Sequence, residues 1–148
     1  MNAKKILVPT DFSHTGDAAL SYATSLAKDN GGRLLIVHAE EPPLAYGGGE
    51  MYYGIPEPST EELLKMLHDV KPADSSVPVE YRLITGDPVN AIVRLAKDEG
   101  VDLIVLGSHG RTGLTRVLIG SVAEGIVRKA SCPVLVCKQA AGKTAATA

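Results

Sequence analysis

The stretch that decides the fold is Val101-Asp102-Leu103-Ile104-Val105-Leu106-Gly107-Ser108-His109-Gly110, followed after nine residues by Gly120-Ser121-Val122-Ala123-Glu124. Its apolar opening reads as a strand buried on both faces, the kind found in parallel sheets. Ser121 with Glu124 three places on has the capping-box pattern, which predicts a helix from Ser121 to about Ala130. Glycine thus stands directly after a strand and again at a helix start. Glycine lets backbone N–H groups approach a ligand with no side chain between. A helix start adds unpaired donors and about half a positive charge. The combination suits an anion, and phosphates above all.

Working outward, the same alternation recurs. Lys5 to Thr10 is a β-rich run, and a helix is expected from about Ser13, with Ala19, Tyr22, Ala23, Leu26 and Ala27 at helical spacing. Asn30-Gly31-Gly32 stops it through a left-handed glycine cap. Arg33 to Ala39 is the second strand. A long loop, 40–58, follows, either functional or a plain insertion. Ser59-Thr60-Glu61-Glu62 opens a second helix with a capping box, and Leu63, Leu67 and Val70 mark its buried stripe. Pro78 to Ile84 is the third strand. Asp87 caps a third helix with Pro88 at its first position, Ile92, Leu95 and Ala96 facing inward and Gly100 ending it. Pro133 to Cys137 is the last strand.

Strict alternation implies an α/β fold, a doubly wound parallel five-stranded sheet with helices on both faces and right-handed crossovers. Spacing alone does not fix the strand order. Residues 1–139 read as one domain and 140–148 as a disordered tail.

The Gly-x-x-Gly-(nine residues)-Gly-Ser pattern, with Lys5-Ile6-Leu7-Val8-Pro9-Thr10-Asp11-Phe12-Ser13 near the start and Cys132-Pro133-Val134-Leu135-Val136 near the end, resembles the ATP-binding branch of the universal stress protein family. The resemblance runs from about Lys4 to Lys138. It implies strand order 3-2-1-4-5, with the chain reversing direction between strands 1 and 4. Ligands of such sheets bind beyond the carboxyl ends of the strands at that switch. There lie Pro9-Thr10-Asp11 and Gly107-Ser108-His109-Gly110.

Composition sets the limits. The chain has 148 residues, 45% of them apolar, and a net charge of −2. That length can bury a proper core, and the balance offers no general field for nucleic acid or an anionic membrane. With no Trp and one Phe, a stacking platform for single strands is not expected. Cys132 and Cys137 complete no zinc pattern and read as small buried or half-buried thiols. No signal peptide and no apolar run of ~20 residues is evident, so the cytosol is the expected location.

Each candidate residue has a plain alternative. Asp11 suits a ribose hydroxyl or the adenine edge, as the resemblance implies, or caps the first helix. Val37, His38 and Ala39 end strand 2, where the family's adenine meets backbone groups; His38 reads as a packed rim residue rather than a catalyst. Gly107 and Gly110 bring backbone close to ribose and the first phosphates. Gly120 and Ser121, with Val122 beside them, hold the outer ones, unless Ser121 only caps its helix. Arg111 or Arg116 pairs with phosphate or stays solvated. Ser108 and His109 flank the cradle. ATP, or another adenine nucleotide, is the expected ligand, with Mg²⁺ or Mn²⁺ to offset its charge. Gly142-Lys143-Thr144 lacks the earlier glycine of a P-loop, and there is no Gly-x-Ser-x-Gly elbow. No general base stands out, so a nucleotide-dependent sensor or regulator is expected ahead of a slow metal-dependent ATPase or a nucleotide-free interaction module. The edge strand, 133–138, is expected to join a homodimer, with pairing centred on Leu135 and Val136.

Overall fold

The structure, a computed structural model, describes residues 2–13, 16–41, 58–108 and 120–138. Among these, strand and helix alternate throughout: β1 Lys5–Pro9, α1 Asp17–Asn30, β2 Arg33–Glu40, α2 Thr60–His68, β3 Val79–Thr85, α3 Pro88–Asp98, β4 Leu103–Gly107, α4 Ser121–Lys129 and β5 Val134–Cys137. The strands form one parallel sheet in the order β3-β2-β1-β4-β5, the order the family resemblance implied. The 40–58 loop falls almost wholly, and the 140–148 tail wholly, outside the described residues.

Strand side chains alternate between faces, and the sheet sorts them into two cores. Ile6, Val8, Leu34, Ile36, Leu103 and Val105 pack with Ala19, Ala23 and Ala27 of α1 and Leu67 of α2. Leu7, Leu35, Val37, Ile104 and Leu106 pack with Ile92 and Ala96 of α3 and Ala123 and Ile126 of α4. Burial on both faces explains why β1, β2 and β4 read as continuous apolar runs. Alanines line α1 because that helix lies close across the centre of the sheet.

Most helix ends form as their residues dictate. Ser59 and Glu62 make the reciprocal capping box of α2, and Asp87 caps α3 with Pro88 at its start. Gly31 closes α1 at φ 64°, with Gly32 N–H donating to Ala27 carbonyl at 2.8 Å. Three expectations need correction. α1 starts at Asp17 rather than near Ser13, because residues 11–13 are held in a turn of their own and Gly16 is the N-cap. Tyr22 is 59% exposed, while Thr24 is buried, its hydroxyl donating to Leu20 carbonyl at 2.7 Å. α4 is capped by Gly120 without a side-chain bond, so Ser121 and Glu124 form no capping box.

The bonds of β5 to β4 fix which of its backbone groups face outward. Ile104 N–H donates to Pro133 carbonyl at 3.0 Å and Ser108 N–H to Cys137 carbonyl at 2.9 Å. Backbone groups of alternate residues face opposite ways in a strand, so those of Leu135 also serve β4. Val134 and Val136 direct their N–H and C=O groups away from β4, so of the expected pair Leu135 and Val136 only Val136 turns its backbone outward.

Candidate functional site

β1 and β4 lie side by side, yet α1 follows β1 on one face and α4 precedes β5 on the other. The chain therefore parts at the carboxyl ends of these two strands, which is where sheets of this kind offer a crevice to a ligand. Pro9, Thr10 and Asp11 form one wall and Gly107 and Ser108 the other. Gly120 N–H donates to Ser108 carbonyl, which brings the start of α4 to the same point. His109, Gly110, Arg111 and Arg116 lie outside the described residues.

The wall after β1 is a tight polar turn. Phe12 N–H donates to Thr10 Oγ1 at 3.0 Å. Ser13 donates to Asp11 Oδ1 twice, from its N–H at 3.0 Å and its hydroxyl at 2.5 Å. Among the described residues Asp11 Oδ2 accepts no bond within this turn. Phe12 sits at φ 69°, a left-handed conformation unusual for a bulky side chain. Asp11 does not cap α1, whose N-cap Gly16 has no side-chain cap bond.

The end of β2 borders the crevice. Val37 is fully buried, and its carbonyl accepts from Thr10 N–H at 2.8 Å. His38 and Ala39 are partly exposed. Odd residues of β2 turn their backbone toward β1, as Arg33 N–H to Lys4 carbonyl at 2.8 Å shows, and even ones toward β3, as Leu34 N–H to Pro78 carbonyl shows. The β1 pairing ends at Pro9↔Val37, whereas the β3 pairing continues to Glu40↔Thr85. The backbone groups of Ala39 therefore face the crevice beyond the last rung. Sequence inspection grouped Val37, His38 and Ala39 together; strand parity singles out Ala39.

Ser108 is buried at 2% exposure, and its N–H and carbonyl hold β5 and Gly120 respectively. Gly120 has φ −75° and ψ 165°, a backbone any residue adopts. Its conformation therefore does not call for glycine. Ser121 and Val122 are exposed in the first turn of α4, where Glu124 N–H makes the first intrahelical bond, to Gly120 carbonyl at 2.9 Å. Gly120 has no side chain with which to cap this end. The N–H groups of Ser121, Val122 and Ala123 precede that first bond and are the donors an anion would use.

A nucleotide phosphate fits this set. Among the described residues no three His, Cys, Asp or Glu side chains come together. Cys132 and Cys137 are unpaired thiols, and burial pushes both up in pKa, as inert packed cysteines require. Among the described residues no helix is long and apolar enough to cross a membrane.

Comparison with known proteins agrees with this architecture. The sequence model of the universal stress protein family matches residues 2–138. Universal stress protein MJ0577 of Methanocaldococcus jannaschii is 32% identical, over 92% of this chain and 95% of its own. Universal stress protein YxiE of Bacillus subtilis is 33% identical, over 89% and 97% respectively. The solved structure of MJ0577 superposes with a TM-score of 0.73 at 31% identity, covering 94% of this chain and 98% of that one. A universal stress protein solved in complex with cAMP superposes with a TM-score of 0.69 at 25% identity, covering 93% and 98%. With its sheet order and a family match spanning all five strands, this chain belongs to the universal stress protein family.

Proposed function

We propose that this protein binds ATP in the crevice between β1 and β4 and acts in the stress response as a nucleotide-dependent regulator. The observation that carries this reading is the uncapped start of α4, drawn by Gly120 onto Ser108 at the switch point. Free helix donors beside a glycine are what a phosphate chain requires. Ala39 backbone would meet the adenine, Asp11 Oδ2 the ribose, Gly107 and Gly110 the first phosphates, and Gly120, Ser121 and Val122 the outer ones. Pro9 and Thr10 would line the wall after β1, and Ser108, His109 and Arg111 are the residues proposed to border the phosphates. Mg²⁺ or Mn²⁺ would accompany the nucleotide and offset its charge. The protein would work in the cytosol as a homodimer. Turnover, where it occurs, should fall well below the ~1–10³ s⁻¹ of typical enzymes.

Calorimetry tests the reading. ATP, with and without Mg²⁺, should bind folded, nucleotide-free protein, and cAMP, which lacks the outer phosphates, should bind more weakly. No heat with millimolar ATP would refute the proposal. Tighter binding of cAMP than of ATP would reassign the ligand class to mononucleotides, the kind named for one structural neighbour.

A further inference from the structure

One bond at the top of β2 is out of pattern. β1 and β2 pair from Lys5↔Arg33 to Pro9↔Val37, and Thr10 N–H adds one more rung to Val37 carbonyl. In a parallel ladder the next rung would run from Ala39 N–H to Thr10 carbonyl. Among the described residues that rung is not made. Thr10 carbonyl is instead 2.8 Å from Nδ1 of His38. A carbonyl oxygen only accepts, so Nδ1 carries the proton and donates. The same ring lies against Phe12, with centroids 4.4 Å apart and planes tilted by 41°. Phe12 is the residue held at φ 69°. His38 therefore grips the turn on either side of Asp11, by the carbonyl before it and the ring after it.

We propose that His38 is a positioning residue for the crevice. Its Nδ1–H takes the acceptor that would otherwise extend the β1–β2 ladder, which keeps the Ala39 N–H and C=O open. Its ring braces Phe12 in the left-handed conformation and so fixes the Asp11 turn. Ladder termination stands on the hydrogen-bond pattern alone; the consequence for nucleotide affinity rests on the ATP reading.

Hydrogen exchange at the Ala39 amide in ligand-free protein tests the first part without any nucleotide. The wild-type amide should exchange fast beside the paired core of β2. His38→Phe keeps a ring against Phe12 but removes the donor. Thr10 carbonyl then becomes available, and Ala39 exchange should slow about tenfold or more as the rung forms. His38→Asn returns an N–H close to the Nδ1 position and should keep the amide fast. Where His38→Phe does not fold, His38→Leu gives the same readout. An Ala39 amide already as protected as that of Val37 in the wild type overturns the proposal, as does one unmoved by loss of the donor. ATP calorimetry is the second arm: His38→Phe should weaken binding about tenfold, and His38→Asn should recover most of it. Exchange changes without any change in ATP affinity would overturn the link to the nucleotide while leaving ladder termination supported. Wild-type protein that binds no ATP would defeat the functional reading, and the exchange arm would still decide the role of His38.

Discussion

Gly120 and Ser108 are joined by a single backbone hydrogen bond, from the amide of the helix cap to the carbonyl just beyond β4. It fixes where α4 starts relative to the sheet. It also engages the N–H of Gly120 inside the protein, so a phosphate bound as proposed would be met by the donors that follow, with Gly120 leaving the approach free of a side chain.

Gly120→Val should therefore impair the ligand more than the fold. The backbone angles of Gly120 suit valine, so the cost is a weaker cap, about 1 kcal/mol or less. A branched side chain would fill the approach to the first turn. ATP affinity should fall at least ~10-fold, or about 1.4 kcal/mol. Thermal unfolding and calorimetry on one preparation give both numbers, and unchanged affinity in a folded variant removes Gly120 from the site.

Ser121→Ala separates a cap from a ligand contact. The Ser121 hydroxyl makes no cap bond, and alanine is the better helix former. Stability should hold within about 0.5 kcal/mol. ATP affinity should drop several-fold while cAMP affinity, with no outer phosphate to lose, stays level. A loss of stability near 1 kcal/mol or more would restore the capping role instead.

These two residues show where sequence was sufficient and where it was not. Ser59 with Glu62 and Asp87 with Pro88 became the caps their pattern predicts, because nothing tertiary competes at those helix starts. Ser121 with Glu124 has the same pattern, but the Gly120–Ser108 bond sets the entry of the chain one residue earlier. The two-sided apolar runs of β1, β2 and β4 made the sheet legible, and the family resemblance supplied its order. The Asp11 turn was hidden: its side-chain bonds compete locally with helix formation, and nothing in a phenylalanine announces a left-handed backbone. The His38 bond depends on two strands meeting, so no local pattern carries it.

The opposite end of the sheet governs acid stability. Glu99 accepts from Lys5 Nζ at 3.0 Å and lies 3.1 Å from Arg82. The hydrogen bond from Lys5, then the charge of Arg82, hold its carboxyl below the usual range. A carboxyl depressed in the folded state contributes fully above its unfolded value, about 4.3, and the contribution is lost as pH falls through the lower folded value. Asp74 acts in the same direction, held down by hydrogen bonds from Lys28 and Ser76. Urea unfolding should show Glu99→Gln less stable than wild type at pH 7, with the gap closing by about pH 3. A gap that is constant with pH would mean that packing, not charge, is what Glu99 supplies.

Helix packing on the α3–α4 face turns on one glycine. A Cβ at Gly125 would stand 2.7 Å from one methyl of Val89 and 3.0 Å from the other. Gly125→Ala gains up to about 1 kcal/mol in helix propensity, and the collision with a stiff β-branched side chain should outweigh it, giving net destabilisation of about 1–3 kcal/mol. In a Val89→Ala background the same change should become neutral or stabilising. A double-mutant cycle by chemical denaturation checks the sign change, and additive effects would mean the helices simply move apart.

The last prediction concerns β5, the open edge. Val134 and Val136 direct their backbone groups away from β4, while Pro133, Leu135 and Cys137 face it. An exposed edge invites strand addition, and two copies related by a two-fold axis could pair there antiparallel in one self-complementary contact. Leu135, 36% exposed, and the partly buried Val136 would flank that seam on opposite faces. Val136→Pro is the discriminating change. Proline removes an N–H that β4 does not use, and edge strands tolerate it at such a position. The protomer should stay folded while the dimer is lost, whereas Leu135→Pro would break the ladder to β4 and unfold the protein. Sedimentation across micromolar concentrations should show wild type as a dimer and Val136→Pro as a monomer. A wild type that is monomeric throughout refutes the contact, and a dimer that survives Val136→Pro moves the interface off this strand.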